Sequence, residues 1–191
     1  MNSIVLVTRS LGKFTEIRKL LPDSFILKSL DDIGCMVKIE ETGSTFRENA
    51  LIKAQFIHDN YHLNALADDS GLEVAILGGA PGVFSARYSE IGSDAENVKK
   101  LLKMMGNSAN RKASFKSVLA LILDDKKYLF EGEVSGTIAL KPSGSEGFGY
   151  DPVFIPHGFN QTFAELSPDL KNKISHRGAA MKQLVNFLNA R

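Results

Sequence analysis

The stretch SIVLVTRSLGKFTEIRKLLP, residues 3–22, indicates the fold class of the chain. Residues 3–7, with an apolar run at 4–7, are typical of a buried β-strand, and the residues after Lys13 have apolar side chains at helical spacing. These helical positions are Phe14, Ile17, Leu20 and Leu21. Pro22 ends the pattern, because proline cannot continue an α-helix. A strand, a short turn and a helix follow one another, which predicts a mixed α/β domain.

Later segments continue this alternation. Two capping-box patterns, Thr45 with Glu48 and Ser93 with Glu96, mark the starts of two further helices. The second of these helices is expected to run toward Met105. A Ser-Pro pair at 167–168 predicts a short helix, and an apolar stripe predicts a last one. The stripe consists of Met181, Leu184, Val185 and Leu188.

Two long β-prone runs lie between the predicted helices. They cover residues 113–123 and 128–140, and the four charged residues at 124–127 separate them. This pattern predicts a long antiparallel hairpin with a charged, solvated turn. The stretch 141–152 that follows is rich in Gly, Ser and Pro, which is typical of a functional loop.

Length and composition bound the class of protein. The chain has 191 residues, a size that predicts a single domain spanning 1–191, and 23 Lys and Arg against 22 Asp and Glu give a net charge of +1. That charge argues against a dedicated nucleic-acid binder. A single cysteine excludes a disulfide framework and a cysteine-based zinc cage. Neither a signal segment nor a membrane span is predicted, so we expect a cytoplasmic protein with no membrane partner.

Acidic residues at three places are candidates for metal chemistry: Glu40 with Glu41, Glu48, and Asp68 with Asp69. The last pair follows an apolar run, so we expect it at the end of a strand, where desolvation favours binding of a cation. Such oxygen ligands suit Mg²⁺, which binds through one or two carboxylates together with substrate phosphates. Adjacent acids also repel one another, which raises one pKa and leaves a base able to activate water. A solvated turn or a helix cap is the alternative.

The turn after the first strand is a candidate anion site. Backbone N–H groups and the helix dipole favour a phosphate at such a junction. The segment consists of Thr8, Arg9, Ser10, Leu11, Gly12 and Lys13. It is not a P-loop, because Val7 stands where that motif requires its first glycine and Phe14 follows the lysine. An ordinary strand-to-helix turn is the alternative.

Aromatic and basic side chains are concentrated in two later segments. Phe148 and Tyr150 lie among glycines, and such a loop can stack a nucleobase. Hydrogen-bond donors near the start of the last helix are Lys171, Ser175, His176 and Arg177. The alternatives are a hairpin corner with Tyr150 packed on the core and exposed basic residues at a helix start.

These segments resemble one family in order and spacing over essentially the full length. The matching segments are 8–13, Glu41-Thr42-Gly43 with Phe46, Glu48, Asn49 and Ala50, 67–72, 79–82 with 85–88, 148–152, and 175–178. The most specific are Ala-Asp-Asp-Ser-Gly-Leu at 67–72 and Ser-His-Arg-Gly at 175–178. The chain closely resembles the Ham1-like inosine triphosphate pyrophosphatases.

The resemblance implies an activity and a fold. The activity is hydrolysis of noncanonical purine nucleoside triphosphates (ITP, dITP and XTP) to the monophosphate and pyrophosphate, with Mg²⁺, in a homodimer. The fold is an elongated α/β structure in which helices flank a mixed sheet and two lobes surround a nucleotide cleft.

The resemblance also implies roles for individual residues. Asp69 matches the general base and a metal ligand, and Glu40 or Glu41 is the second acidic ligand. The segment 8–13 and Ser70 match phosphate-binding positions. The residues that match the base and substrate pocket are Phe148, Gly149, Tyr150, Asp151, Lys171, His176 and Arg177. Apart from the resemblance, the positive charge of Lys53 makes it a further candidate for a phosphate contact.

One departure from the family pattern concerns the turn after the first strand. The family usually has Thr-Gly-Asn-x-x-Lys there, whereas Arg9 and Ser10 stand in place of the glycine and the asparagine. Arg9 either strains a turn that glycine takes freely or adds a phosphate contact, and Ser10 lacks the amide group. This turn is also similar to that of the Maf-like nucleotide pyrophosphatases, and a nucleotide-binding module impaired in catalysis is a further alternative. The segments at 67–72 and 175–178 favour the Ham1-like family.

Overall fold

The computed structural model describes residues 2–191, which form six β-strands and five α-helices. The strands are β1 (Asn2–Val7), β2 (Phe25–Lys28), β3 (Ala65–Val74), β4 (Lys112–Leu123), β5 (Lys126–Ile138) and β6 (Phe154–Pro156). The helices are α1 (Leu11–Leu20), α2 (Phe46–Tyr61), α3 (Asp94–Met105), α4 (Pro168–Ile174) and α5 (His176–Asn189). Short 3₁₀ helices lie at Asp31–Ile33, Ala75–Leu77, Gly82–Arg87, Asp151–Val153 and Phe163–Glu165.

The six strands form one mixed sheet in the order β2-β1-β3-β4-β5-β6. β1 is parallel to both β2 and β3, in a register that pairs Val5 with Ala65 and Val7 with Ala67. β6 is antiparallel to β5. β4 and β5 are neighbours joined by two residues, a connection that only an antiparallel pair can make. The prediction of an α/β fold with a mixed sheet and flanking helices is confirmed.

The β4–β5 hairpin has a shorter turn than predicted. Asp124 and Asp125 have φ angles of 50° and 63°, as a tight two-residue hairpin turn requires. Lys126 and Lys127 were expected in the turn, but two residues suffice for it and both lysines lie in β5. β5 ends at Ile138 rather than at 140, because its ladder with β6 ends where Ile138 pairs with Phe154.

The helix starts predicted from the sequence are confirmed. Oγ1 of Thr45 accepts a hydrogen bond from Glu48 N, and the Glu48 carboxylate accepts one from Thr45 N, which completes the capping box of α2. Ser93 caps α3, which ends at Met105, and Ser167 caps α4. Within residues 2–191, no helix combines the length and the apolar character needed to cross a membrane.

The chain divides into two compact units. The first comprises the chain up to Asp69 together with Ser117–Glu131 and Ala179–Arg191. The second comprises Ser70–Lys116 and Gly132–Gly178. The core of the first unit is mainly aliphatic and includes Ile4, Leu6, Ile17, Leu66, Leu119, Leu121, Met181 and Leu184. The core of the second unit is richer in aromatic residues and includes Leu72, Leu101, Phe115, Tyr150, Phe154 and Phe163.

Asp68 and Asp69 lie inside a strand and not at its end. β3 continues to Val74, whereas its parallel neighbour β1 stops at Val7, the partner of Ala67. The two aspartates thus follow the last residue of β3 that pairs with β1. They are 1% and 6% exposed, so the predicted desolvation is correct although the predicted strand end is wrong.

Candidate functional site

Side chains of the segment between β1 and α1 hold it in place. Ser10 is the N-cap of α1, since its Oγ atom accepts a hydrogen bond from Lys13 N at 3.4 Å. Its own N–H donates to Oγ1 of Thr8 at 3.1 Å. The first backbone N–H groups of an α-helix have no acceptor within the helix. In α1 these groups belong to Leu11 and Gly12. This junction combines such amides with the positive end of the helix dipole, and the combination suits an anion.

Arg9 binds the segment at 31–35. Its guanidinium donates to Oδ1 of Asp31 at 2.9 Å and to the carbonyl oxygen of Cys35. Its φ angle is not positive, so the strained turn expected where arginine replaces glycine does not form. The alternative, a phosphate contact by Arg9, stays a prediction.

Lys53 is the centre of a buried acidic cluster in the first unit. Its Nζ atom lies 2.7 Å from Oδ1 of Asp69, 2.8 Å from Oε1 of Glu41 and 2.9 Å from the carbonyl oxygen of Asp68. The side chains of Lys53 and Asp69 are 11% and 9% exposed. Lys53 therefore joins two of the acidic residues that the sequence predicted as metal ligands.

Burial and charge act against each other in this cluster. Burial lowers the pKa of Lys53, but the carboxylates of Asp69 and Glu41 outweigh it and raise that pKa above its ordinary value. Burial raises the pKa of Asp69, and the nearby charges of Lys53 and Lys13 only partly offset this. A lysine that stays charged thus lies beside a carboxylate of raised pKa, which is the property of a good general base.

The structure distinguishes Glu40 from Glu41, which the sequence left as alternative ligands. Glu41 contacts Lys53 and is partly buried. Glu40 is exposed and makes no contact with Lys53. The acidic cluster therefore contains Glu41, and Glu40, predicted as a metal ligand, lies outside it.

The loop that carries Glu41 is fixed onto the start of α2. Gly43 N donates to Oδ1 of Asn49 at 2.8 Å, and Asn49 is completely buried. The Glu48 carboxylate accepts hydrogen bonds from the hydroxyl and backbone N–H of Ser44 and from Thr45 N, and these bonds lower its pKa. Glu48 is therefore a helix cap, the alternative to its candidate metal role.

Two carboxylates of the cluster fit the preferences of Mg²⁺. Glu41 and Asp69 both lie within 2.8 Å of one ammonium group, so two hard oxygen donors already converge on a single cation. Among residues 2–191, no three His, Cys, Asp or Glu side chains are grouped to hold a metal. Mg²⁺ commonly takes only one or two protein carboxylates and completes its shell with water and substrate phosphates. Glu41 and Asp69 are thus the residues that could hold such an ion.

Asp68 has different partners from Asp69. Its side chain is completely buried, with Oδ2 3.1 Å from Nζ of Lys13. Its Oδ1 atom accepts a hydrogen bond from Oγ of Ser117 at 2.7 Å. Successive side chains of a strand point to opposite faces, which explains why two adjacent carboxylates meet different groups. Asp68 thus links β3 to α1 and to β4.

Asp151 organises the aromatic loop of the second unit. Its Oδ2 atom accepts hydrogen bonds from Phe148 N at 2.8 Å and from Nζ of Lys171 at 2.6 Å. The side chains of Lys171 and Asp151 are 5% and 3% exposed. Gly147 has a φ of 80°, and a Cβ atom there would collide with the Asp151 carboxylate, so this position requires glycine. Asp151 thus fixes Phe148 and Lys171 relative to each other.

Two cations lie close to the ring of Phe148. Nζ of Lys171 is 4.7 Å from the ring centroid and Cζ of Arg177 is 5.6 Å from it. Arg177 is buried and donates to Oγ of Ser70 at 2.9 Å. Ser70 follows Asp69 directly in β3. An aromatic ring and two cations therefore gather in the second unit near the residue after the predicted base.

His176 is held at the start of α5 by stacking. Its ring is parallel to that of Phe115, with centroids 4.7 Å apart and 9° between the planes. Oγ of Ser175 accepts a hydrogen bond from Gly178 N at 3.0 Å. A Cβ atom on Gly178 would collide with the carbonyl oxygen of Asn172, so the absence of a side chain there lets α4 and α5 approach closely. This packing fixes the first turn of α5.

Tyr150 does not present its ring for stacking on a base. It is 4% exposed, and its hydroxyl donates to the carbonyl oxygen of Ser85 at 2.9 Å. Burial raises the pKa of that hydroxyl above its ordinary value. The neighbouring Gly149 N donates to Oδ2 of Asp94 at 2.7 Å. The sequence left stacking and core packing open for this loop, and Tyr150 packs in the core, whereas Phe148 is only half-buried.

A cavity of about 610 Å³ in the second unit lies apart from these residues. Residues of β3, β4 and β5 line it together with the segment 155–159, and they include Glu73, Ser114, Glu133 and His157. Its lining, taken over the described part of the chain, contains none of the predicted site residues. The candidate site is therefore defined by side-chain clusters and not by this cavity.

Sequence reasoning assigned no role to two residues that support the site. Ser117 lies 49 residues from Asp68 in the chain, and no local motif marks it. Asn49 did carry a signal, because it is a polar residue on the face of α2 that also includes Phe46, Ala50 and Lys53. A polar side chain on such a face needs partners, and Gly43 N supplies one for the Oδ1 atom.

Comparisons with known proteins agree over the full length. The chain is 48% identical over 190 residues to the dITP/XTP pyrophosphatase of Porphyromonas gingivalis, covering 98% of each chain. It is 44% identical over 188 residues to that of Flavobacterium johnsoniae, again covering 98% of each. The solved structure of a HAM1 protein from Coxiella burnetii has a TM-score of 0.91 at 42% identity and covers 100% of both chains. The Staphylococcus aureus Ham1 protein has a TM-score of 0.89 at 39% identity and covers 99% of both.

The family itself is defined by a sequence profile. The profile of the Ham1 family matches residues 4–187, and the chain belongs to that family. The resemblance inferred from the motifs is therefore confirmed. The match extends over both compact units and favours the Ham1 interpretation over the Maf-like alternative.

Proposed function

We propose that this chain is a nucleoside triphosphate pyrophosphatase that hydrolyses ITP, dITP and XTP to the monophosphate and pyrophosphate. The observation that carries the proposal is the buried cluster of Lys53, Asp69 and Glu41 in a chain of the Ham1 family. Such a cluster combines a base with cation-binding carboxylates, which phosphoryl chemistry requires. The relatives named dITP/XTP pyrophosphatases support the choice of substrate.

Asp69 is the proposed general base. Its carboxylate is buried and has a raised pKa, so it accepts a proton more readily than an exposed aspartate. Lys53, 2.7 Å away, orients this carboxylate. A water that gives its proton to Asp69 attacks the α-phosphorus, the bond to the bridging oxygen breaks, and pyrophosphate leaves with that oxygen.

The start of α1 and two lysines are proposed to hold the polyphosphate. The first amides of α1 and its dipole favour negative charge. Lys13 is the third residue of that helix, and Asp68 orients its ammonium group. Lys53 adds a second positive charge. Three independent sources of positive potential thus serve a highly charged ligand.

Mg²⁺ is the proposed metal, and Glu41 and Asp69 are its proposed ligands. When bound, the ion neutralises charge that develops on the phosphates and orients them. The chain contributes two partly or wholly buried carboxylates at fixed positions, one on β3 and one on the loop clamped by Asn49. We leave Glu40 out of the proposed set, because it is exposed and lies outside the cluster around Lys53.

The purine is proposed to lie against Phe148, with Arg177 and His176 near its 6-position. Arg177 has only donors, so it matches a 6-oxo group and mismatches a 6-amino group. A mismatch leaves buried donors unpaired, which disfavours adenine nucleotides. Asp151, Lys171 and Gly149 serve this pocket by fixing the loop.

Family resemblance supports three further statements about the whole protein. We expect residues 1–191 to act as a single Ham1-like domain, to form a homodimer and to work in the cytoplasm. Light scattering on the purified protein measures the assembly directly. A mass of two chains supports the homodimer, and a mass of one chain contradicts it.

A substrate panel tests the proposed activity. Purified protein with Mg²⁺ is incubated with ITP, dITP, XTP, the four standard ribonucleoside triphosphates and modified pyrimidine triphosphates, and the products are separated. We expect monophosphate and pyrophosphate from the first three, with kcat/KM at least about 100-fold above that for ATP. Release of orthophosphate, or preference for a modified pyrimidine, contradicts the proposal.

A further inference from the structure

Ser117 carries a buried hydroxyl that takes no part in the proposed reaction. It lies on β4, is 1% exposed and belongs to a run, 117–123, in which every residue is buried. The other six residues of that run are Val, Leu, Ala, Leu, Ile and Leu. Burying a hydroxyl in such a run costs free energy unless the hydroxyl is hydrogen-bonded, so it requires a partner.

That partner is the carboxylate of Asp68. Oγ of Ser117 donates to Oδ1 at 2.7 Å, and the Asp68 side chain is completely buried. A buried carboxylate accepts from several donors, and each one restricts its rotation. The hydroxyl therefore fixes the plane of the Asp68 carboxylate from the β4 side.

The second oxygen of this carboxylate holds Lys13. Oδ2 of Asp68 lies 3.1 Å from Nζ of Lys13, whose side chain is 17% exposed. A lysine side chain has four flexible methylene groups, and ordering it costs conformational entropy. An ion pair that orders Lys13 before the ligand binds reduces the entropic cost of binding.

We propose that Ser117 is a positioning residue for polyphosphate binding, acting on Lys13 through Asp68. The inference rests on the proposed function, because Lys13 is the lysine placed beside the phosphate-binding turn. Asp68 is then a tether and not a further metal ligand, which gives the two adjacent aspartates separate tasks. Each contact in the relay lies within the first unit.

The test compares Ser117→Ala with Val118→Ala, a loss of buried volume at the next position of the same strand. We expect Ser117→Ala to raise KM for dITP about tenfold, as loss of a hydrogen bond to a charged group does, and to change kcat less. Ser117→Thr keeps the hydroxyl and is expected to restore KM to near the wild-type value. Val118→Ala is expected to lower the melting temperature without changing KM.

Calorimetric binding of inorganic tripolyphosphate in metal-free buffer provides a readout that does not depend on turnover. The dissociation constant is expected to rise about tenfold in Ser117→Ala and to stay unchanged in Val118→Ala. If Ser117→Ala does not fold, Ser117→Cys, nearly equal in size and a weaker donor, is expected to change the dissociation constant in the same direction.

The outcomes separate this inference from the proposed function. If the wild type does not hydrolyse dITP but Ser117→Ala still weakens tripolyphosphate binding, the activity is wrong and the positioning role stands. If Ser117→Ala binds tripolyphosphate as the wild type does, or loses no more affinity than Val118→Ala, the positioning role is overturned. Failure of the wild type to bind tripolyphosphate overturns it as well.

Discussion

The Nζ atom of Lys53 lies 2.7 Å from Oδ1 of Asp69, and the two side chains are only 11% and 9% exposed. Either charge alone would be expensive to bury. Glu41, 2.8 Å from the same ammonium, brings a second carboxylate into the cluster. The first unit therefore has two carboxylates and one lysine in fixed positions before any ligand binds.

Replacement of Lys53 by methionine tests the pair. Methionine fills similar volume but leaves the carboxylates of Asp69 and Glu41 facing each other without a cation. We expect kcat/KM for dITP to fall at least about 100-fold. Loss of one partner of a buried ion pair should also lower the free energy of unfolding by about 3–5 kcal/mol, which chemical denaturation measures. Lys99→Met, at a side chain that is 76% exposed, is the control and should change neither quantity. Wild-type kcat/KM in Lys53→Met contradicts the proposed role.

The two neighbouring glutamates allow a matched comparison of metal dependence. Glu41→Gln removes a proposed ligand, so the Mg²⁺ concentration for half-maximal activity should rise about tenfold or more. Glu40→Gln alters an exposed carboxylate outside the cluster and should leave that concentration unchanged. A Mg²⁺ titration of dITP hydrolysis measures both. Equal effects of the two substitutions, or a larger effect of Glu40→Gln, would show that the ligand set is wrong.

Removal of the Phe148 ring tests the proposed stacking of the base. Stacking on an aromatic ring contributes about 1–3 kcal/mol per base, so Phe148→Ala should raise KM for dITP about 5- to 150-fold. Phe84→Ala is the control, because Phe84 is 57% exposed and also lies under an arginine, Arg87. Steady-state kinetics measure KM for both variants. If KM stays at the wild-type value in Phe148→Ala as well as in Phe84→Ala, the stacking role is refuted.

Glu165 predicts a pH dependence of stability in the second unit. Its carboxylate accepts hydrogen bonds from Thr162 N at 2.7 Å and from Oγ of Ser143 at 2.8 Å, and these lower its pKa. A carboxylate whose pKa is lowered by folding stabilises the folded state above its unfolded pKa of about 4.3. That contribution is lost as the pH falls through the lower, folded pKa.

Glu165→Gln should therefore be less stable than the wild type at pH 7, with a difference that shrinks as the pH falls below about 4. Denaturant unfolding at a series of pH values measures the difference. Glu146→Gln, at an exposed carboxylate in the neighbouring loop, serves as the control. A difference that stays constant down to pH 3 would mean that the charge of Glu165 is not the cause.

Patterns within one element predicted most of the fold. The apolar stripe after Lys13, the capping box of Thr45 and the Ser167 cap depend on residues a few positions apart, and each appears where expected. The errors lie where one element's end depends on another. Asp69 remains in β3 because that strand continues past the last residue of β1. Such an ending is a property of the sheet and leaves no local mark in the sequence.

The site was less accessible to prediction than the fold. Motif matching proposed Asp69 and Phe148, because their segments are specific, and charge alone suggested Lys53. Neither could say that Glu41 contacts Lys53 while Glu40 is exposed. The glycines around Tyr150 left stacking and core packing both open, and its ring packs in a core that joins residues as far apart in the chain as Leu72 and Leu166. Tertiary contacts decide such cases.

Ser117 shows the limit most clearly. A single serine in an apolar strand is ordinary in sequence, and only the fold brings it within 2.7 Å of Asp68. A buried carboxylate such as that of Asp68 is expected to have hydrogen-bond partners. Their identity depends on β4 lying next to β3 in the sheet, which no spacing rule predicts.

Hydrolysis of dITP in ¹⁸O-labelled water, by the wild type and by Asp69→Asn, tests the central claim most directly. We expect the label to enter the monophosphate and pyrophosphate to leave unlabelled, because water attacks the α-phosphorus. We also expect Asp69→Asn to bind dITP but to turn it over about 10²–10⁴ times more slowly. Label in pyrophosphate, release of orthophosphate, or unchanged turnover in Asp69→Asn would contradict that claim.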